Sequence, residues 1–280
     1  IERSGRRWVL APGGLVSALL PVIADTGASW IGWPGQADVD LETMTLDGLD
    51  MTPVRLSPEE VADFYAGMSN GTLWPLFHDR VRAPEFHRHW WRSYVAVNER
   101  FAATAARTVP HEGTAWVHDY QLALVPDRLR HLRPDVRIGY FLHIPFPSPQ
   151  LFAQLPWRRE YLRGLLGADT LAFQTPNDAA HFRDAATRYT DARPAGSALR
   201  YADREVRVHA APISIDTAAF MAEAATEATR ERAEALRQLL GRRTVLLGVD
   251  RLDYTKGIRV RLRAFDALLE RRPELAETTV

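Results

Sequence analysis

The sequence predicts an α/β protein built on a mostly parallel sheet, with one large domain followed by the start of a second. Apolar, β-rich runs alternate with helical patterns along the chain, which is typical of βαβ units. Several of these runs are almost continuously apolar, as expected of strands that helices cover on both faces. Helix-start signals with Pro at the first helical position recur at residues 57–58, 148–149 and 175–176, and they place helices between the strands.

Seven runs are candidate strands. They are residues 30–33, 53–56, 114–117, 137–143, 170–173, 206–210 and 244–249. Residues 57–60 read Ser-Pro-Glu-Glu, a capping box that predicts the start of a helix. Residues 219–240 are rich in Ala, Glu and Arg and predict one helical segment, and apolar residues at helical spacing from Ile258 to Leu269 predict another.

The order of these elements predicts the division into domains. We expect residues 1–215 to form one α/β domain, residues 216–243 to connect it to the next, and residues 244–280 to begin a second domain. The last segment is too short for a complete core of its own. The chain does not begin with Met, and residues 278–280 read like the start of a buried strand. We therefore expect the chain to be a fragment.

Composition excludes several classes of function. In 280 residues, 35 Lys and Arg balance 35 Asp and Glu, which gives no general reason to bind nucleic acid or an anionic membrane. The chain has no cysteine, which excludes disulfides and thiolate catalysis. No apolar stretch approaches the roughly 20 residues of a membrane helix, and the first residues do not form a signal peptide. We expect a soluble, cytoplasmic protein, and leave open whether it is a homo-oligomer.

One polar turn has the character of a phosphate site. Lys256 is the single lysine of the chain, and it lies with Arg251 between a predicted buried strand and a predicted helix. Ligands of open α/β sheets bind at the carboxyl ends of strands, and two cations beside a helix N-terminus favour a phosphate. We expect a diphosphate site here rather than a surface loop with two solvated cations. The turn lacks the glycine spacing of a P-loop.

Three further motifs each keep two interpretations. Gly13 and Gly14 open an apolar helix, where backbone N–H groups are suited to a phosphate or a sugar, although a plain turn is the more ordinary interpretation. Asp119 follows a predicted strand, either as a base or sugar-hydroxyl acceptor or as a helix N-cap. His143 ends a strand before a loop stiffened by three prolines, which suits a functional histidine as well as a structural one.

Aromatic side chains are compatible with carbohydrate binding, because sugars stack their C–H faces on such rings. The candidates are Trp33, Tyr65, Trp74, Trp90 and Trp91. Most of the eight tryptophans are nevertheless expected in the core, so this observation alone decides nothing. His87 and His89 lack a carboxylate or a third histidine at ligand spacing, and we expect no metal site.

Seven motifs spread over the whole chain share one resemblance. They are Gly-Gly-Leu at 13–15, Trp-Ile-Gly-Trp-Pro-Gly at 30–35, Ser-Asn at 69–70, Leu-Trp-Pro at 73–75, His-Asp-Tyr-Gln-Leu at 118–122, His-Ile-Pro-Phe-Pro at 143–147 and Arg-Leu-Asp-Tyr-Thr-Lys-Gly at 251–257. Together they resemble the trehalose-6-phosphate synthase family, retaining glycosyltransferases of the GT-B architecture with two Rossmann-type domains. The last two motifs are highly specific to that family, and the sequence looks most like its actinobacterial members.

The resemblance implies a reaction and a role for each matching residue. Glucose passes with retention from a nucleoside diphosphate glucose to glucose-6-phosphate, giving α,α-trehalose-6-phosphate, without a metal, another cofactor or a protein nucleophile. The implied donor-binding residues are Gly13, Gly14, His143, Arg251 and Lys256. The implied acceptor-binding residues are Tyr65, Trp74 and Asp119, with Trp33 nearby. The implied catalytic residues are His143, Asp119, Arg251 and Lys256, of which the two cations take up the charge that grows on the leaving phosphate.

The chain also departs from the family. The family's first strand, with an Arg before Gly13, and most of its nucleotide-reading segment have no counterpart here. We therefore expect the fragment alone to be inactive, and the donor base stays open between uridine, guanosine and adenosine.

Other functions remain as alternatives. Two keep the fold and change the acceptor: glucosylglycerol-phosphate synthesis, and a pseudo-glycosyltransferase that joins cyclitols. A third is a non-catalytic regulatory subunit, which the intact Asp119, His143, Arg251 and Lys256 argue against. An oxidoreductase of the Rossmann type is disfavoured because no Gly-x-Gly-x-x-Gly follows any predicted strand.

Overall fold

The computed structural model describes residues 2–4, 7–9, 14–24, 26–46, 48–79 and 81–280. The chain divides into two compact units, Ile1–Ile213 and Ser214–Val280. None of the described helices is long and apolar enough to cross a membrane.

Along the chain, the first unit begins with a small sheet, a helix and a second small sheet. Strand β1 (Glu2–Ser4) pairs antiparallel with β2 (Arg7–Val9), and helix α1 spans Gly14–Ala24. The second small sheet contains β3 (Ser29–Gly32), β4 (Met44–Leu46) and β5 (Leu49–Pro53), in the order β3-β5-β4. The strand predicted at 53–56 is therefore placed wrongly. It begins at Leu49, because Gly48 with φ of 82° reverses the chain and pairs β5 antiparallel with β4.

A six-stranded sheet forms the centre of the first unit. Its strands are β6 (Thr114–His118), β7 (Arg137–Phe141), β8 (Thr170–Phe173), β9 (Arg193–Ala195), β10 (Ala198–Tyr201) and β11 (Arg204–Ala210). The order is β6-β7-β8-β11-β10-β9, with the first four strands parallel and the last two antiparallel. The predicted strands at 114–117, 137–143, 170–173 and 206–210 are confirmed as this parallel part. Apolar side chains such as Ile138, Tyr140 and Leu171 are buried between the sheet and its helices.

Eight helices of the first unit lie between β5 and β9 along the chain. They are α2 (Pro58–Glu60), a π-helix (Val61–Leu73), α3 (Trp74–Phe77), α4 (Arg88–Thr108), α5 (Val125–Leu132), α6 (Pro149–Phe152), α7 (Arg158–Leu166) and α8 (Pro176–Tyr189). The predicted starts at Ser57, Ser148 and Thr175 are confirmed, since each of these side chains accepts a hydrogen bond from a backbone N–H of its helix. Single helical turns lie at Tyr120–Leu122 in this unit and at Tyr254–Lys256 and Pro273–Leu275 in the second.

The π-helix is the feature of the first unit that the sequence pattern did not predict. It follows the capping box at Ser57 and runs for 13 residues, whereas most π-helices are single turns. It packs against α4 through two glycines. A Cβ on Gly67 would lie 2.6 Å from the ring of Trp90, and one on Gly71 would lie 3.1 Å from it. The ring therefore rests directly on the helix backbone, and glycine is required at Gly67.

The second unit contains three helices and little sheet. They are α9 (Thr217–Ala224), α10 (Glu227–Leu240) and α11 (Ile258–Arg271). The helical segment predicted at 219–240 is divided, because Thr226 caps α10 with its side chain. The strand predicted at 244–249 is wrong for this chain. Its ladder is limited to a bridge between Thr244 and Thr279, since residues 278–280 offer it only a few backbone partners.

Candidate active site

Asp119 and His143 lie together at the carboxyl edge of the parallel sheet. They follow β6 and β7, which pair in parallel with His118 opposite Phe141. The backbone N–H of Asp119 donates to Phe141 O at 2.8 Å. In return, the backbone N–H of His143 donates to Asp119 Oδ1 at 3.2 Å. Two residues that are 24 positions apart in the chain are therefore fixed in one place, as expected for neighbouring parallel strands that end at the same edge.

The backbone of Asp119 is strained. Its φ of 70° lies in the left-handed region, which non-glycine residues rarely adopt and which costs about 1–3 kcal/mol. Two backbone donors hold the conformation, because Oδ1 accepts from Tyr120 N at 3.0 Å as well as from His143 N. Asp119 is thus the cap of the turn that follows it, as one of the two sequence interpretations had it. Its Oδ2 has no hydrogen-bond partner among the described residues and remains able to accept from a ligand hydroxyl.

The Asp119 carboxyl is also electrostatically unusual. Burial raises its pKa from an ordinary value of 3.8 to about 6, and the hydrogen bonds from Tyr120 and His143 offset part of this effect. A carboxyl group that titrates near neutrality both accepts hydrogen bonds and exchanges a proton. Both properties suit a group that binds a sugar hydroxyl.

The ring of His143 contacts a second histidine that the sequence analysis quoted but gave no role. His143 Nε2 lies 3.0 Å from Nδ1 of His118, the last residue of β6. Burial lowers the pKa of His143 to about 4, and burial together with the proximity of His143 lowers that of His118 to about 3. Both rings are therefore neutral near pH 7, and one proton lies between them.

Helix α4 braces the loop that follows Asp119. The buried Tyr94 Oη donates to Tyr120 O at 2.6 Å and accepts from Ala123 N at 3.2 Å. The buried Asn98 accepts from Leu124 N at 3.0 Å. Buried polar groups that are fully paired in this way fix a single conformation. These hydrogen bonds from α4 fix the loop and the strained Asp119 at its start.

The predicted acceptor residues form two aromatic contacts. The rings of Trp33 and Tyr65 lie 5.2 Å apart, and Tyr65 stands on the π-helix with 39% of its surface exposed. The ring of Trp74 lies 5.7 Å from that of Tyr120, next to Asp119. Tyr120 Oη donates to Asn70 Oδ1 at 3.0 Å. The π-helix thus presents Tyr65 and Asn70, while Trp74 begins the helix that follows it.

The glycine motif receives less support. Gly14 begins α1, and a Cβ placed on it would meet no atom within 4 Å, so nothing described here requires a glycine at that position. Gly13 lies outside the described residues.

Arg251 and Lys256 lie in one polar turn of the second unit. Asp253 Oδ1 accepts from Thr255 N at 2.9 Å and from Thr255 Oγ1 at 2.8 Å, which fixes the turn. Lys256 is exposed and ends a single helical turn, and Gly257, with φ of 63°, then leads into α11. Arg251 lies 3.8 Å from the Asp253 carboxylate. The turn thus places an exposed ammonium immediately before a 14-residue helix, where the helix dipole also favours an anion.

Sequence reasoning missed three polar residues of the site. They are His118, Asn70 and Tyr120. His118 and Tyr120 flank Asp119, so their position in the motif was a signal. Asn70 gave none, because its place depends on the π-helix. No group of three or more described His, Asp or Glu residues is close enough to hold a metal ion.

The fold is that of the GT-B glycosyltransferases, the architecture of the solved structures that the chain resembles. More specifically, the chain belongs to glycosyltransferase family 20, which it matches over residues 2–280. It is 50% identical over 284 residues to the trehalose-6-phosphate synthase of Mycolicibacterium smegmatis, an alignment that covers 98% of this chain and 56% of that protein.

Two solved structures show the same similarity. One is an α,α-trehalose-phosphate synthase (UDP-forming) from Burkholderia vietnamiensis, with a TM-score of 0.88 and 32% identity over 95% of this chain and 58% of that one. The other is such an enzyme from Burkholderia xenovorans in complex with glucose-6-phosphate, with a TM-score of 0.84 and 30% identity over 96% of this chain and 61% of that one. This chain spans little more than half the length of the relatives it matches.

Proposed function

We propose that the protein containing this chain transfers glucose, with retention, from a nucleoside diphosphate glucose to glucose-6-phosphate and so makes α,α-trehalose-6-phosphate. In this proposal residues 1–215 form the acceptor-binding domain, residues 216–243 the connector, and residues 244–280 the start of the donor-binding domain. A uridine donor is favoured, because the similar Burkholderia vietnamiensis enzyme is described as UDP-forming. The expectation of a cytoplasmic location stays a prediction.

The observation that carries the proposal is the pairing of Asp119 with His143 at the carboxyl edge of the sheet. Asp119 Oδ1 is fully used by backbone donors, so Oδ2 is left to accept from a hydroxyl of the acceptor sugar. Trp74 and Tyr120 add an aromatic surface beside it, on which the C–H face of a hexose stacks. Tyr65 and Trp33 complete the acceptor side of the proposed site.

The donor side of the proposal depends on charge. As the bond from glucose to the diphosphate breaks, negative charge grows on the leaving phosphate. Arg251 and Lys256 are assigned to that phosphate, because fixed cations that bind it more strongly in the transition state accelerate the step. These cations take the place of a metal ion in the proposal, and no cofactor takes part. Gly13, Gly14 and His143 are assigned to the donor sugar and phosphates by the family resemblance.

The chemistry needs no covalent intermediate with the protein. The C1–O bond to the diphosphate breaks, and the acceptor hydroxyl oxygen forms the new bond to C1 on the same face. The proton of that hydroxyl goes to the leaving diphosphate. Retaining glycosidases instead place two carboxylates on either side of the bond, and Asp119 is the one carboxylate that we assign to the proposed site from this chain.

The direct test supplies the intact protein with ¹³C-labelled UDP-glucose, GDP-glucose or ADP-glucose and with glucose-6-phosphate. Trehalose-6-phosphate with two α-linked glucose units, detected by ¹³C NMR and mass spectrometry, is the expected product. Glycerol-3-phosphate in place of glucose-6-phosphate tests the alternative acceptor. The proposal would be contradicted if product formed with glycerol-3-phosphate but not with glucose-6-phosphate. It would also be contradicted if none of the three donors gave product with either acceptor.

A second assay tests the expectation about the fragment. Residues 1–280 alone should show no turnover with the same substrates, because most of the nucleotide pocket of the family lies in residues without a counterpart here. The intact protein is the matched control. Steady-state turnover by the fragment would show that donor recognition is complete within it.

A further inference from the structure

Four rings form a row on one face of the sheet edge. Trp116 and His118 project from the same face of β6, because they are two positions apart. Phe141 ends β7 opposite His118, and His143 follows two positions later. Successive ring centroids lie 4.5 Å apart for Trp116 and His118, 5.2 Å for His118 and His143, and 4.6 Å for His143 and Phe141. The ring of His143 is thus held between His118 and Phe141.

The first ring of the row lies over a small residue in the neighbouring strand. Gly139 stands opposite Trp116 in the β6–β7 register. A Cβ on Gly139 would lie 3.5 Å from Trp116 Cδ1, so the indole lies directly over this position of β7. The indole in turn packs against His118. The position of His118 is therefore set by the sheet itself and not by a mobile loop.

The hydrogen bond within the row uses a particular ring atom of His143. Its Nε2 lies 3.0 Å from Nδ1 of His118. A neutral imidazole has one N–H donor and one bare nitrogen acceptor, so two neutral rings form this bond with a single proton between them. Once Nε2 is used, Nδ1 is the one ring atom of His143 that can bind a substrate. No described residue hydrogen-bonds to that Nδ1.

We propose that His118 is a positioning residue for His143: it occupies Nε2, fixes the plane and tautomer of the ring, and leaves Nδ1 as the atom that His143 presents to the donor sugar. The assignment of Nδ1 to the donor sugar rests on the function proposed above, whereas the occupation of Nε2 by His118 does not. The arrangement follows the general pattern in which a second group fixes which nitrogen of a functional histidine is free.

The proton states support this geometry. If both rings were charged, each facing nitrogen would bear a hydrogen and the short contact would be lost. Burial lowers the pKa of both groups well below neutrality. Asp119 binds the backbone N–H of His143 and not its ring. Asp119 therefore does not compete with His118 for Nε2.

Two exchanges at His118 separate the hydrogen bond from the packing. His118→Phe keeps an aromatic ring in the row and removes the bond, whereas His118→Gln keeps a side chain that donates or accepts. In the intact protein we expect kcat to fall about 10-fold for His118→Phe, with KM for glucose-6-phosphate within twofold of wild type. We expect His118→Gln to keep at least a third of the wild-type kcat. The same two exchanges at His131, which is exposed on α5, are the controls and should change neither parameter.

Histidine-ring ¹⁵N NMR of the intact protein provides a readout that does not depend on turnover. His143→Gln assigns the signals. In His118→Phe we expect the Nε2 shift of His143 to move and its tautomer to become mixed, and on addition of UDP-glucose to the wild type we expect Nδ1 to shift more than Nε2. Unchanged His143 shifts in a folded His118→Phe variant, a donor response at Nε2, or full kcat in that variant would each overturn the proposal. If the wild type makes no trehalose-6-phosphate at all, the proposed function fails, while the His118→Phe spectra still decide whether Nε2 is occupied.

Discussion

Replacing Asp119 with Asn should stabilise the first unit while impairing its proposed function. Burial raises the pKa of this carboxyl from 3.8 to about 6, so folding disfavours its charged form. At about 1.4 kcal/mol for each tenfold change, the difference corresponds to about 3 kcal/mol at neutral pH. An Asn side chain still accepts from Tyr120 and His143 through its own Oδ1. We therefore expect Asp119→Asn to raise the free energy of unfolding by about 2–3 kcal/mol at pH 8.

The pH dependence of this gain has a definite sign. Because the folded-state pKa is raised, the wild type loses stability as pH rises from about 4 to about 6, and above that the penalty is complete. Below about pH 3 the carboxyl is protonated in both the folded and the unfolded chain, and the penalty vanishes. The difference in stability between Asp119→Asn and wild type should therefore be small at pH 4 and reach its full value near pH 7.

Urea unfolding of the 280-residue chain, followed by tryptophan fluorescence, measures this difference. All eight tryptophans lie between positions 8 and 157, within the first unit, so the signal reports on that unit. Asp203→Asn, in an exposed turn, is the control for removal of one negative charge and should leave stability within about 0.5 kcal/mol of wild type. A variant at Asp119 that is less stable than wild type at pH 8, or a gain that is equal at pH 4 and pH 8, would refute the reasoning.

Three further substitutions test other parts of the structure. Lys256→Ala in the intact protein should lower kcat/KM at least 10-fold, which corresponds to about 1.4 kcal/mol of transition-state binding. Replacement of the exposed Arg259 by Ala is the control and should change kcat/KM less than twofold. Near-wild-type steady-state kinetics of Lys256→Ala would show that Lys256 does not bind the diphosphate. Asp178→Ala should cost about 2–3 kcal/mol in urea unfolding, because its carboxylate caps α8 and also accepts from the buried Phe146 N at 3.0 Å; a loss below 0.5 kcal/mol would contradict this. Gly164→Ala places a Cβ 2.5 Å from a backbone oxygen. We therefore expect the free energy of unfolding to fall by about 1–3 kcal/mol, despite the better helix propensity of Ala. An unchanged or higher urea midpoint would show that the backbone moves to accommodate the methyl group.

The parallel sheet was predictable because its signals are local. Three of its strands, β6, β7 and β8, are short and mostly apolar, and β11 alternates polar with buried apolar residues. Both patterns are recognisable in a sequence. The position of Asp119 beside His143 follows from the same rule, since neighbouring parallel strands end at one edge. The strand predicted at 244–249 failed for a physical reason. A strand is formed by its partners, and the backbone hydrogen bonds of residues 244–249 to another segment involve only Thr244 and Leu246, which bond to residues 278–280.

The π-helix places residues on faces that the periodicity of an α-helix does not predict. A repeat of 3.6 residues assigns each position to a face, but a π-helix has a wider turn and rotates the later positions. The faces that Tyr65 and Asn70 occupy therefore could not be derived from their spacing. The π-helix also packs closely on another helix, since the ring of Trp90 on α4 rests on Gly67 and Gly71. In this arrangement Asn70 accepts a hydrogen bond from Tyr120.

The charges of the two units suggest different contributions to the proposed reaction. At the sheet edge of the first unit the two histidine rings are neutral near pH 7, and Asp119 is the titrating group. These groups orient hydroxyls and donate or accept hydrogen bonds, but they offer no full positive charge to a phosphate. Such charge comes from Arg251 and Lys256 in the second unit, and transition-state charge is where fixed cations act most strongly. Changes at the sheet edge should then act mainly on acceptor binding and ring orientation, and changes at Lys256 on the breaking of the bond to the diphosphate.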